Sequence, residues 1–320
     1  MYKFNPILKT IIWGGEKIVP YKQLVSDQKS VGESWELSGV KGDESVVANG
    51  EYAGKTLPEL IDLLKGDLVG EHVYAKHGNE FPLLIKFIDA RRDLSIQVHP
   101  NDELSHKRHG KNGKTEMWYV VGADKDAHLL SGFSKEVTPE EYAAKVADNT
   151  VTEVLKSYDV HEGDVFFLPA GRVHAIGAGS FVAEIQQTSD VTYRIYDYGR
   201  LGADGKPREL HVELAKDAID FHVEDDYRTH YTEKKNEGVE LVKCNYFTTS
   251  FYDMDRETSI AMEGLDSFMV IMGLEGKGVI RDNEGNEIAV HQGETILVPA
   301  TTRTLNLIPE NKLKVLTSHL

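Results

Sequence analysis

Cysteine is almost absent: Cys244 stands alone among 320 residues, so no internal disulfide can form and a reducing, cytoplasmic setting is expected. Long apolar runs are absent too. None reaches the ~18 residues a membrane helix needs, so no membrane partner is expected. The opening stretch, Met1-Tyr-Lys-Phe-Asn-Pro6, lacks the apolar centre and small-residue cleavage site of a secretory signal, and it is not read as one. Positive charge is scarce. Lys and Arg number 36 against 52 Asp and Glu, a formal net charge of −16, which argues against nucleic acid as a partner. The segment 104–114, LSHKRHGKNGK, is a local exception with four cationic residues and no acid; it is either a solvated basic loop or a seat for a small anion. Glycine-rich phosphate loops of the P-loop or dinucleotide kind are missing, which sets nucleotidyl transfer aside.

What remains is ordinary globular material, 40% hydrophobic and 28% charged, long enough for two domains. Helical signals are few. Segment 56–66 has a threonine cap, an early proline, an apolar stripe (Leu57, Leu60, Ile61, Leu64) and a closing glycine. Thr138-Pro-Glu-Glu141 is a capping box that opens a short helix towards Val146, and a weaker helix is expected over 213–221. Elsewhere short β-rich runs dominate: 83–88, 94–98, 117–121, 165–168, 181–187, 191–196, 267–272, 278–281 and 295–298. Gly, Asn, Asp and Pro punctuate them, the signature of a sandwich or barrel.

The chain also repeats itself. His161-Glu-Gly-Asp-Val-Phe-Phe-Leu-Pro-Ala170 returns as His291-Gln-Gly-Glu-Thr-Ile-Leu-Val-Pro-Ala300. Upstream of each copy lies an apolar run, 116–122 and 267–273. Gly163 and Gly293 suit unusual backbone angles, and Pro169 and Pro299 end a strand, so two related β modules are expected.

Alternation on a strand puts Ser95, Gln97 and His99 on one face and Leu94, Ile96 and Val98 on the other. Glu116 begins a near-continuous apolar strand, where a carboxylate is costly unless paired or bound to metal. His174 follows the Pro169 turn at the start of the next β segment. Two imidazoles, a carboxylate and an amide oxygen from three β segments suit one zinc ion with a position left for water or substrate; the same set suits Fe(II). In the second module Thr304 stands where His174 does, and Ser267 is matched to Glu116, so that module keeps the scaffold without the ligands. Arg194, inside a β-branched and aromatic strand, is either an ion-pair member with Glu184 or an anion clamp. Lys86 raises the same question: a sheet-edge residue or a ligand.

These residues sit in motifs that resemble type I mannose-6-phosphate isomerases: FPLLIKF at 81–87, LSIQVHPN at 94–101, KTE at 114–116, LPAGRVHA at 168–175, the Glu184 to Arg194 spacing, Trp13-Gly14-Gly15 and GESWE at 32–36. The resemblance covers most of residues 1–200; the C-terminal third fits a degenerate cupin barrel more generically. It implies a mainly β fold of two cupin-type (jelly-roll) barrel halves, with a few short helices and an abbreviated helical insertion whose candidate remnants are 101–114 and 136–148. It implies a catalytic domain over 1–235 and a metal-free cupin domain over 236–320. It also implies one Zn2+ per chain on Gln97, His99, Glu116 and His174, with Arg194, Lys114 and Glu184 catalytic and Ser95 and Lys86 contacting substrate. The expected reaction is aldose–ketose interconversion of mannose 6-phosphate and fructose 6-phosphate through a metal-stabilised enediolate, in a monomer or homodimer. An Fe(II) oxygenase and a non-catalytic sugar-phosphate sensor are the rival classes on the residues alone.

Overall fold

The computed structural model describes residues 1–202 and 205–320. Its centre is a seven-stranded sheet, ordered Arg228–Thr229, Val165–Leu168, Glu116–Ala123, Ser180–Gln187, Leu83–Asp89, Val31–Leu37, Ile7–Gly15. Alternation gives this sheet two apolar faces. One, through Leu83, Ile85, Phe87, Met117, Tyr119 and Ile185, packs on Phe251, Val270, Leu297 and Leu316 of the C-terminal sheet. The other, through Ile88, Trp118, Val120, Phe166 and Val182, packs on Leu129, Tyr158 and Ile176 of a five-stranded sheet. That sheet runs Tyr193–Tyr196, Ile96–Val98, His174–Ile176, His128–Phe133, Leu155–Asp159. A sheet covered on both faces reads as continuous apolar runs, and every residue of Leu83–Asp89 is buried, Lys86 included. The edge reading of Lys86 is therefore wrong: its strand lies between Ser180–Gln187 and Val31–Leu37.

The C-terminal module is a nine-stranded sheet built around Met269–Asp282 and Thr304–His319. The chain's first strand, Tyr2–Asn5, joins this sheet, with Tyr2 opposite Leu297 and Lys3 opposite Ile296.

The repeated motif makes the same turn twice. The His161 and His291 N–H groups donate to carboxylate oxygens of Asp164 and Glu294, at 2.9 and 3.0 Å. Gly163 and Gly293, at φ of 91° and 80°, donate to the Val120 and Gly273 carbonyls. Both glycines occupy the left-handed region that side chains avoid. Pairing corrects one assignment. Leu168 lies opposite Glu116 and Val298 opposite Met269, so the counterpart of Glu116 is Met269, two residues beyond Ser267. The sequence offset missed this because its two-residue error keeps the same strand face. The pairing of Gln97 with His174 has its match in Ala261 with Thr304.

Helix Leu57–Leu64 carries the expected cap: Thr56 Oγ1 accepts from the Glu59 N–H, and Glu59 Oε2 accepts from the Thr56 N–H. Pro139–Ala147 is capped by Thr138, and the third helix is only Val212–Lys216, shorter than the expected 213–221. Asp102–His109 is a helix within 101–114, one of the two segments expected as remnants of a helical insertion, although no periodic signal marks it. It has no apolar stripe, only Ser105 is buried, and Asn101 capping Leu104 starts it. His106, Lys107, Arg108 and His109 form its last turn, where positive charge suits the helix dipole. The basic segment is thus largely a helix C-terminus, with Arg108 on Asp217 and Lys111 on Asp190.

Candidate metal and substrate site

Three strands deliver the metal-ligand candidates to one point. His99 follows Ile96–Val98, Glu116 opens Glu116–Ala123 and His174 opens His174–Ile176. One ligand atom from each lies within 4.8 Å of the others, and all three residues are buried. His174 Nε2 stands 3.2 Å from Glu116 Oε1, and His99 Nε2 stands 3.5 Å from Glu116 Oε2. Each imidazole donates its Nδ1–H to a backbone carbonyl, His99 to Val191 at 3.0 Å and His174 to Arg172 at 2.8 Å. That fixes the tautomer and leaves both Nε2 lone pairs facing the carboxylate. Gln97, paired with His174 across the sheet, brings its amide 3.4 Å from His174 Nε2, and a turn of that amide presents its oxygen instead.

The electrostatics fit a cation. Neither oxygen of Glu116 accepts a well-aligned hydrogen bond, although Lys114 Nζ lies 3.0 Å from Oε2. Burial pushes the Glu116 carboxyl up to about 7, against the pull of Lys114. Burial likewise pushes His174 down to about 4 and His99 well below its usual range, with Lys114 adding to both, so both imidazoles are neutral. Two neutral nitrogens facing an unsatisfied buried carboxylate suit a divalent ion.

Beside this point opens a cavity of about 390 Å3, and it contains Lys86, Ser95, Gln97, Lys114, Glu184 and Arg194. Every substrate and catalytic candidate thus converges there. Lys114 Nζ is also 3.2 Å from His99 Nε2, and it joins the cavity to the metal-ligand candidates. Glu184 accepts from Trp118 Nε1 at 3.0 Å and pairs with Lys86 Nζ at 3.2 Å. Burial alone would raise its carboxyl; Lys86 and Lys114 outweigh that and hold it at about 2. Lys86 also reaches Glu33 at 3.4 Å. Of the two readings of Arg194, the ion pair with Glu184 is not made. Arg194 Nη1 donates instead to the Glu209 carbonyl at 2.9 Å, and its buried Nε has no partner.

Sequence reasoning overlooked Glu33, although GESWE was noticed, because a carboxylate on a half-apolar strand gives no sign of which lysine it meets. It also overlooked Asp197 and Arg208. Arg208 is on the cavity wall and donates to the buried Asp197 through Nε and Nη2, at 2.7 and 2.6 Å. Both lie at or beyond the end of Tyr193–Tyr196, outside any periodic pattern.

Comparison with known proteins decides the family. The family model of the type I phosphomannose isomerase catalytic domain matches residues 1–119, and that of the mannose-6-phosphate isomerase cupin domain matches 238–320. Mannose-6-phosphate isomerase ManA of Bacillus subtilis is 36% identical over 279 residues, covering 86% of this chain and 85% of that protein. The chain belongs to the mannose-6-phosphate isomerases. A mannose-6-phosphate isomerase of Streptococcus mutans is 31% identical over 96% of this chain and 94% of its own. The crystal structure of a Bacillus subtilis mannose 6-phosphate isomerase superposes with a TM-score of 0.89 at 30% identity, over 100% of this chain and 99% of that one. The cupin-type fold follows from the same matches, and this enzyme is an aldose–ketose isomerase. Among the described residues, no helix is long and apolar enough to cross a membrane.

Proposed function

We propose that this isomerase uses zinc, held by Gln97, His99, Glu116 and His174, to interconvert mannose 6-phosphate and fructose 6-phosphate through an enediolate. The observation that carries the reading is the buried, hydrogen-bond-starved Glu116 between two neutral imidazoles, beside a cavity lined by cations. When bound, the ion would supply Lewis-acid polarisation of the sugar oxygens. The rest falls to the chain. Lys114 stands between cavity and ligand candidates and is placed to move the proton between C1 and C2. Glu184, held at about 2 and fixed by Lys86 and Trp118, is a weak base; it orients Lys86 towards the substrate hydroxyls with Ser95. Arg194, with an unspent buried Nε–H, stabilises charge that develops on the enediolate oxygen. Residues 1–235 carry this chemistry and 236–320 form the metal-free cupin partner, in a cytoplasmic enzyme.

The test is a coupled assay of mannose 6-phosphate to fructose 6-phosphate on protein stripped of metal and then given zinc. Activity is expected to return with zinc. No turnover by folded, zinc-loaded protein would overturn the reading.

A further inference from the structure

Positive charge is unevenly compensated around the catalytic cavity. On the wall formed by the seven-stranded sheet, Lys86 is answered by Glu33 and Glu184, and Lys114 by Glu116. A phosphate placed there would meet three carboxylates. The wall formed by the five-stranded sheet is different. Asp197, only 4% exposed, is shared by two guanidiniums: Arg208 through Nε and Nη2, and Arg200 through Nη2 at 2.5 Å. Two cations on one carboxylate leave a surplus of one. Arg194 adds a second, since no carboxylate among the described residues lies within salt-bridge distance of it. Burial, and then the Arg208 charge beside it, push the Arg194 guanidinium below its ordinary value.

The order of elements gives this surplus a direction. His174 pairs with Gln97, and Gln97 pairs with Arg194 on the next strand. Beyond Arg194 the chain folds back: the His211 N–H donates to the Arg194 carbonyl at 2.7 Å, and Glu209 accepts from the Arg194 side chain. Arg208 therefore lies on the far side of Arg194 from the metal-ligand candidates. The order His174, Gln97, Arg194 and then the 209–211 segment thus runs outward from the metal-ligand candidates in one direction, at ~4.8 Å per neighbouring strand.

We propose that Arg208, aimed by Asp197, binds the 6-phosphate, so that the sugar lies along the line from Gln97 past Arg194 to Arg208 with its reacting carbons at the metal residues. Asp197 takes Nε and one Nη2 hydrogen, leaving the outer edge of the guanidinium for phosphate oxygens. This assignment rests on the isomerase reading above and adds to it the orientation of the substrate.

The experiment uses zinc-loaded enzyme with Arg208→Gln, Arg208→Lys and Asp197→Asn, each checked for metal content and thermal unfolding. Turnover of mannose 6-phosphate and of neutral mannose is measured, together with competitive inhibition by inorganic phosphate. Losing a charge-assisted hydrogen bond predicts a rise of roughly 10- to 100-fold in KM for mannose 6-phosphate and in the inhibition constant of phosphate in Arg208→Gln. Mannose turnover falls far less than mannose 6-phosphate turnover, Arg208→Lys recovers part of the loss, and Asp197→Asn raises KM more than it lowers kcat. Unchanged inhibition by phosphate in Arg208→Gln, or equal losses on mannose and its phosphate, would overturn the assignment. Should the wild type turn over neither sugar, the isomerase reading fails by itself, and calorimetric titration of inorganic phosphate into wild type and Arg208→Gln still decides whether Arg208 holds the anion.

Discussion

The two modules share a turn, a strand pair and a closing proline, yet their interiors are filled in opposite ways. Where the first puts Glu116, the second puts Met269; where the first puts His174 and Gln97, the second puts Thr304 and Ala261. Met269 joins Met254, Ile271, Ile296, Val298 and Val315 in an apolar cluster inside the C-terminal module. The first module instead buries Glu116, His99, His174, Lys114, Lys86 and Glu184. The scaffold therefore has no need of polar ligands. Its apolar version gains ~25 cal/mol for each Å2 of apolar surface buried, whereas its polar version carries unpaired groups that burial penalises. The rise of Glu116 to about 7 is a direct sign of that penalty, and penalties of this kind gather where a ligand will relieve them.

The sharpest way to break the comparison is to remove a ligand. His99→Ala should lose zinc and with it at least ~1,000-fold in kcat/KM, measured by metal analysis and the coupled assay. Retained stoichiometric zinc would show that His99 is not a ligand. The reciprocal change carries the first module's carboxylate into the second. Met269→Glu would place an uncompensated charge in an apolar cluster and should destabilise the protein by about 3–5 kcal/mol, read from chemical denaturation. A smaller effect would mean that the second interior already admits water. Arg194→Ala should cost about 100- to 1,000-fold in kcat while zinc content stays at one per chain. Full turnover by that variant would remove its assigned role.

The same contrast explains what was legible beforehand. The strands of the metal-ligand candidates could be picked out because a polar residue interrupts an otherwise apolar alternation, as buried Glu116 does before Met117–Val121 and half-buried Gln97 does between Ile96 and Val98. The turn could be read because only glycine accepts φ near +90° at 163. Pairing register was another matter. Nothing in the run 267–273 distinguishes Ser267 from Met269 as the residue opposite Val298, since both share a face. Helix Asp102–His109 was legible only through the resemblance, as part of 101–114, because it buries one serine and owes its start to the Asn101 cap. Periodicity left Arg194 open between an ion pair with Glu184 and an anion clamp for a related reason. Glu184 meets Lys86, directly opposite it on the adjacent strand, a contact set by strand order.

Proton release offers the subtlest test of the polar interior. In metal-free protein at pH 6, Glu116 is largely protonated and both imidazoles are already neutral. Zinc must then displace about one proton at pH 6 and close to none at pH 8, which titration calorimetry in buffers of different ionisation heat will measure. The same shift has a consequence for stability. A folded-state value above the unfolded one of 4.5 contributes stability fully present below 4.5 and lost as pH rises through about 7. His99 and His174 work in the other sense, since their values fall on folding and their contribution is lost as pH drops below 6.5. Between pH 6.5 and 8 the two imidazoles still release protons in the unfolded chain and offset the Glu116 term. Glu116→Gln removes only the falling term, so the metal-free variant should gain stability relative to wild type as pH rises across that window. Equal slopes in the two proteins would place the strain of the empty site somewhere other than this carboxylate.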